Sequence, residues 1–203
     1  MLLCVAVAGY AFAYLYGEYR SGDPFAAQFA VSGWDVPAHF FAAGLALLLV
    51  PLQLGAWLRR RAPRAHRLGG WIYVAAVAIG AGSGLSLAAN AQGGIAGMLG
   101  FTTLSLLWPV VTAIGIGHAI AGNTAAHRRW MCRSIALTTG AITLRLILAT
   151  GLVLQWPFLP VYVAAAWLSW MFNLAVCELI LRWPARARNA GAGKRWAYRQ
   201  AGA

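Results

Sequence analysis

Residues 36–58 read VPAHFFAAGLALLLVPLQLGAWL, and residues 59–67 read RRRAPRAHR. The first stretch carries no acidic residue, lysine or arginine, and the second carries five arginines. An α-helix needs about 20 mostly apolar residues, at a rise of 1.5 Å each, to cross the hydrocarbon core of a bilayer. A cluster of arginines directly after such a run is typical of a cytoplasmic loop. The two stretches together therefore predict a membrane-spanning helix that ends at the cytoplasmic surface.

The same pattern recurs along the chain and predicts an all-α, polytopic bundle of about six transmembrane helices. The apolar segments cover residues 2–16, 36–58, 68–90, 94–120, 130–156 and 159–181. They are too long for transmembrane strands and lack the alternation that strands show. The first segment is the shortest. Residues 1–182 are predicted to form one transmembrane domain, and residues 183–203 a basic cytoplasmic tail.

Composition supports a lipid-facing surface. The 203 residues are 61% apolar and 10% charged, whereas about 25% of the residues of a soluble domain are charged. The net charge is +12, but fourteen of the sixteen Lys and Arg residues lie in three clusters, at 59–67, 128–133 and 182–199. These clusters flank apolar segments rather than forming a groove, so the sequence predicts contact with the bilayer and its anionic lipids and no nucleic-acid partner.

The loops agree on a single orientation. All three basic clusters fall on one side of the predicted bundle, which the positive-inside rule assigns to the cytoplasm. Glu18, Asp23 and Asp35 fall in the loop after the first segment, on the other side. Both termini are therefore predicted to be cytoplasmic.

Ionisable side chains at membrane depth are costly, and each is a candidate for function. Arg145 is the deepest, about midway between Arg133 and Trp156. Helix carbonyls, hydroxyls and Asn173 can satisfy its guanidinium; alternatively it binds an anion, a quinone oxygen or a lipid headgroup. Glu178 matches Arg133 in depth better than it matches Arg145.

Four histidines are the other candidates. By topology, His66, His118 and His127 lie near the cytoplasmic face, and His39 lies near the opposite face. Histidines on separate helices can ligate the iron of haem b, and neighbouring arginines can form ion pairs with the haem propionates. Histidines at helix ends also serve simply as interfacial anchors. A three-histidine zinc site lacks a supporting carboxylate, so no metal ion is expected.

The remaining reactive residues indicate little chemistry. Cys4, Cys132 and Cys177 lie within apolar runs without a paired or metal-binding spacing and are interpreted as small buried side chains. No Ser/His/Asp arrangement, phosphate loop or carboxylate pair is present, so the sequence names no catalytic residue.

Three stretches carry a family resemblance: residues 39–53; residues 66–73, HRLGGWIY; and residues 127–138, HRRWMCRSIALT, with Leu144 and Arg145. In these the chain resembles a bacterial family of predicted membrane proteins, domain of unknown function 2306. The resemblance implies a multi-pass protein of the bacterial inner membrane. The matching candidate residues are His39, His66, His127, Arg133 and Arg145. His118 does not match the pattern, and the resemblance implies no activity.

Three functions follow as hypotheses. The leading one is a small membrane redox protein that binds haem b or quinone, with His66 and His127 as candidate ligands and Arg133 or Arg145 stabilising anionic groups. The second is a non-redox transporter or a lipid- or anion-binding protein that uses Arg145. The third is an accessory subunit that packs on a larger membrane complex, or on copies of itself, through small-residue faces.

Overall fold

The computed structural model describes the backbone of residues 2–16 and 33–201 and the side chains of residues 2–13 and 33–182. Every regular element in these ranges is an α-helix. The helices are α1 (Leu2–Tyr16), α2 (Asp35–Leu54), α3 (Ala56–Arg61), α4 (Pro63–Ala89), α5 (Gly94–Ile120), α6 (Thr124–Val153) and α7 (Phe158–Ala201). The predicted loop with Glu18 and Asp23 lies outside the described residues.

Within the described ranges, five helices are long and apolar enough to cross a membrane: α2, α4, α5, α6 and the Phe158–Arg182 part of α7. The predicted polytopic helical bundle is therefore confirmed. The sixth predicted span differs. Helix α1 has 15 residues and is about 22 Å long, shorter than the roughly 30 Å hydrocarbon core.

Two helices begin earlier than the apolar pattern predicted. Helix α4 starts at Pro63, and proline suits the first turn because its missing N–H would have no helical partner there. Helix α6 starts at Thr124, where the Asn123 side chain accepts a 3.0 Å hydrogen bond from the Ala126 N–H. An apolar run marks only the lipid-buried part of a helix, so these polar first turns lay outside the predicted segments.

Helix α6 lies at the centre of the bundle. It packs against α5 and α7 along its length and also contacts α1 and α2. Around it, α1 packs on α2, α2 on α4, α4 on α5 and α5 on α7. A residue on α6 can therefore meet side chains from several other helices, and both transmembrane arginines named above lie on this helix.

A buried hydroxyl network joins α4, α5 and α6 at the middle of the bundle. The Tyr73 hydroxyl lies 2.8 Å from Ser134 Oγ and 2.6 Å from Thr138 Oγ1. Trp108 Nε1 donates to Thr138 at 3.0 Å, and Thr112 Oγ1 lies 2.7 Å from Ser134 Oγ. Each of these polar groups finds a partner, which in the absence of water is required for burial. The network fixes how far the three helices slide along one another.

The two ends of the bundle differ in charge. The "basic end" is the end at which α2 and α5 finish and α3, α4 and α6 start; it carries Arg59–Arg61, Arg64, Arg67, Arg128 and Arg129. Helix α2 stops there at Gly55, and Arg59 Nη1 donates to the Leu54 carbonyl at 2.9 Å, which satisfies a terminal helix carbonyl. The other end, where α2 and α7 begin, is called the "opposite end" below.

Candidate functional site

His39 is held in one defined tautomer at the opposite end. It lies one turn after Asp35 on α2, and its Nδ1 is 2.9 Å from the Gly80 carbonyl oxygen on α4. A carbonyl oxygen only accepts hydrogen bonds, so Nδ1 carries the hydrogen. In the neutral ring, Nε2 then keeps its lone pair and can accept a hydrogen bond or a proton.

Gly84 makes room for this imidazole. A Cβ at residue 84 would lie 3.2 Å from His39 Cε1, 3.2 Å from His39 Nδ1 and 3.0 Å from Ser105 Oγ. These distances are shorter than ordinary van der Waals contact between carbon atoms. A glycine at this turn of α4 therefore lets the His39 ring lie directly on the helix backbone.

Arg145 lies on α6 eight residues before the helix ends at Val153, about 12 Å from the opposite end. Its Nη1 donates to the Ala141 carbonyl of its own helix at 2.9 Å, and its Cζ lies 5.6 Å from the Tyr10 ring centroid. Both ion pairs among the described side chains involve Glu178, so no described carboxylate neutralises Arg145. Its guanidinium has five N–H donors.

The expected Asn173 partner of Arg145 is engaged elsewhere. Asn173 Oδ1 accepts a 2.8 Å hydrogen bond from Thr143, and Asn173 Nδ2 donates to the Ala136 carbonyl at 3.3 Å and to Thr139 Oγ1 at 3.2 Å. Arg145 does bond to a helix carbonyl, as the sequence suggested, but Asn173 joins α7 to α6 instead.

His39 lies on α2 and Arg145 on α6, both in the opposite half of the bundle, and these two helices are in contact. The pair therefore presents two complementary groups in the opposite half of the bundle: a guanidinium that only donates and an imidazole nitrogen that accepts. Tyr10, whose ring covers Arg145, is 55% exposed, so the site borders the lipid-facing surface. We call His39, Arg145 and Tyr10 the "opposite-end site".

Arg133 has a carboxylate partner at the basic end. Its Nε lies 2.5 Å from Glu178 Oε1 and its Nη2 lies 3.2 Å from Oε2, a two-pronged ion pair between α6 and α7. The guanidinium carbon also lies 4.8 Å from the Trp130 ring centroid. The prediction that Glu178 matches Arg133 in depth is confirmed, and this arginine is used to join two helices.

His66, in the first turn of α4, and His127, in the first turn of α6, both lie at the basic end. His127 Nδ1 lies 2.8 Å from the Gly115 carbonyl, which again leaves the Nε2 lone pair. His66 Nδ1 is buried without a hydrogen-bond partner among the described residues. Nowhere in the described ranges do three His, Cys, Asp or Glu side chains form a group that would hold a metal ion.

The five predicted site residues thus separate into two groups, at the two ends of the bundle. His39 and Arg145 lie in the opposite half; His66 and His127 lie at the basic end, and Arg133 is bound to Glu178. The sequence does not indicate that Gly84 supports His39, because a glycine that contacts a side chain of another helix has no local signature.

A family model described as predicted membrane protein (DUF2306) matches residues 36–181. The match covers α2 to α6 and most of the transmembrane part of α7, and it contains both groups of candidate residues. Neither a search of curated proteins nor a search of solved structures found a match to the chain.

Proposed function

The chain belongs to the DUF2306 family of predicted membrane proteins, and from that premise we propose that it is a small redox protein of the bacterial inner membrane that binds a quinol. The quinol headgroup lies in the opposite-end site, between His39 and Arg145. The observation that carries the proposal is the pairing of a guanidinium that has no described carboxylate with an imidazole whose tautomer is fixed.

The donor and acceptor pattern selects the ligand class. A quinol carries two hydroxyl groups, so one can donate to His39 Nε2 while the oxygen of the other accepts from Arg145. A carboxylate or a lipid phosphodiester only accepts, and the His39 lone pair would repel it. The same nitrogen can receive the proton that a quinol hydroxyl releases on oxidation, as a general base does.

Binding of duroquinol, a tetramethyl benzoquinol, to the detergent-purified protein tests the proposal. Arg145→Met and His39→Leu are each expected to weaken binding about tenfold. The first removes a hydrogen bond to a charged group, which contributes about 1.5–3 kcal/mol, and the second leaves a quinol hydroxyl without its acceptor, which costs about 1–3 kcal/mol. The measurement is equilibrium dialysis under anaerobic conditions, with folding of each variant checked by gel filtration and thermal unfolding.

His118→Leu is the matched control, because His118 lies near the basic end on α5 and belongs to neither group. It is expected to bind duroquinol as the natural protein does. Equal affinity in all four proteins would refute the quinol site. Tight binding of inorganic phosphate that Arg145→Met abolishes would favour the second hypothesis, an anion- or lipid-binding protein.

The basic end is a second candidate cofactor site, for haem b. His127 donates its Nδ1 hydrogen to a backbone carbonyl, as metal-ligating histidines usually do. His66, at the same end of the bundle, has a buried nitrogen without a hydrogen-bond partner among the described residues. Exposed Arg67 and Arg128 can pair with the propionates, in place of Arg133, which Glu178 occupies. A dianionic haem suits this arginine-rich surface better than a divalent cation does.

A reduced-minus-oxidised absorption spectrum after haem-replete expression tests the haem site. A b-type spectrum that disappears in His66→Ala and His127→Ala but persists in His118→Ala would support it. A flat spectrum would refute the haem site but not the quinol site, because the quinol site uses other residues.

Anionic lipids are proposed as partners of the same basic end. Six exposed arginines lie there, namely Arg60, Arg61, Arg64, Arg67, Arg128 and Arg129. Each cation near an anionic bilayer surface contributes about 1 kcal/mol of attraction. This contact would orient the chain with the basic end in the cytoplasm. An accessory role with a membrane-protein partner or a second copy predicts co-purification after mild solubilisation.

A further inference from the structure

Two cysteines that are distant in sequence lie at the same level of the α6–α7 interface. Asn173 of α7 donates to the Ala136 carbonyl of α6, which fixes these two residues opposite each other. Cys132 and Cys177 each lie four residues, or one helical turn, from this contact, and both lie on its basic-end side because the helices are antiparallel.

A second contact confirms the alignment. Arg133 and Glu178 each follow one of the cysteines in sequence and are joined by the 2.5 Å ion pair. Cys132 and Cys177 therefore each lie next to an ion-pair residue and one turn from the Asn173 contact, at the same level of the two helices. Both are free thiols; Cys177 is buried and Cys132 is partly exposed.

We propose that Cys132 and Cys177 form an oxidisable thiol pair that closes to a disulfide between α6 and α7. Its natural oxidant is a small diffusible disulfide at the basic end. This site is independent of the quinol and haem sites proposed above, since it shares no residue with them.

The unequal exposure sets the order of the exchange. The Cys132 sulfur, which is the more accessible, attacks the small disulfide as a thiolate; a mixed disulfide forms and one small thiol leaves. The Cys177 sulfur, after losing its proton, then attacks the Cys132 sulfur and the second small thiol leaves. The two protein thiols lose two electrons and two protons, and the small disulfide gains both. The new bond would lock α6 to α7 beside the Arg133–Glu178 ion pair.

Thiol counting on the full-length purified protein tests the pair. The protein in detergent is treated with diamide, whose N=N bond is reduced to a hydrazine as a disulfide forms, then denatured and labelled with N-ethylmaleimide. Intact mass should show one label on the oxidised protein, on Cys4, and three labels after treatment with dithiothreitol. Peptide mapping should recover Cys132 linked to Cys177.

Single variants separate this pair from the alternatives. Cys132→Ser and Cys177→Ser should each retain two labels after diamide, whereas Cys4→Ser should retain none. Three labels on the oxidised natural protein would overturn the proposal. So would a link that involves Cys4, or a disulfide-linked dimer of Cys4→Ser on a non-reducing gel.

Discussion

Arg133 and Arg145 lie on the same helix, about 18 Å apart along its axis, yet their environments are opposite. Arg133 has a carboxylate with two hydrogen bonds and an aromatic ring beside it. Arg145 has an aromatic ring and a carbonyl of its own helix, but no carboxylate among the described side chains.

The difference distinguishes a structural charge, Arg133, from a charge that we propose binds a ligand, Arg145. An ion pair with matched partners joins helices and leaves little capacity for another group. A cation that the surrounding described residues do not neutralise raises the free energy of the folded bundle, and such residues in membrane segments usually mark functional sites. The basic end therefore holds α6 to α7, and the opposite end is where a polar headgroup would gain most from binding.

The largest effect is expected from breaking the basic-end pair. Arg133→Met leaves the Glu178 carboxylate, 29% exposed, without its main partner and should lower the free energy of unfolding by about 3 kcal/mol. Unfolding in mixed detergent and SDS micelles measures it. The double variant Arg133→Met with Glu178→Leu should recover most of the loss. If the single variant were as stable as the natural protein, Arg133 would not be a structural charge.

The hydroxyl network lies between the two ends and contains no charged group, so it serves as a reference for both arginines. Tyr73→Phe removes one hydroxyl that lies within hydrogen-bonding distance of Ser134 and Thr138, so a loss of about 1–2 kcal/mol is expected. Duroquinol binding should stay unchanged, because the network lies nearer the bundle centre than the opposite-end site. Loss of binding with intact stability would contradict this separation.

The sequence predicted much of this arrangement, and the physical reason for each success is local. Hydropathy revealed the long helices because lipid selects apolar side chains along a whole span. Each residue advances a helix by the same 1.5 Å, so the number of residues from the basic loops gives the depth in the membrane; this placed Glu178 level with Arg133. The same counting placed Asn173 near Arg145, but depth gives no rotation about the helix axis, and Asn173 faces Thr139 and Thr143 instead.

Contacts between distant segments could not be predicted either, because they depend on how each helix is rotated about its axis. The Gly80 carbonyl that fixes the His39 tautomer is a backbone atom and has no residue-type signature. Cys132 and Cys177, 45 residues apart, showed no paired spacing in the sequence because only the α6–α7 alignment brings them to one level. The short helix α3 was not predicted, because a cluster of arginines after an apolar segment is typical of a loop.

Gly84→Ala tests whether quinol binding at the opposite end depends on the position of the His39 ring, with a smaller expected effect on stability. The added Cβ would lie 3.2 Å from His39 Cε1 and Nδ1 and would push the ring away. Duroquinol affinity should therefore fall about tenfold, and the free energy of unfolding should fall by about 1 kcal/mol. Gly82→Ala, two residues away on the same helix, is the control, since its Cβ would meet nothing within 4 Å. That variant should bind normally and unfold at an equal or higher SDS fraction, because alanine favours helix. Equal binding by both variants would mean that the position of the ring does not matter.

The smallest change in stability is expected at Arg145, and it tests the comparison most directly. Arg145→Met removes a cation that no described carboxylate balances, so its loss should leave the free energy of unfolding unchanged or slightly higher. The same substitution at Arg133, on the same helix, serves as the control and should destabilise the protein. If Arg145→Met instead cost about 3 kcal/mol, Arg145 would be a structural charge like Arg133, and any accompanying loss of quinol binding would reflect a damaged fold. A stable Arg145→Met protein that no longer binds duroquinol is the result that assigns this charge to a ligand.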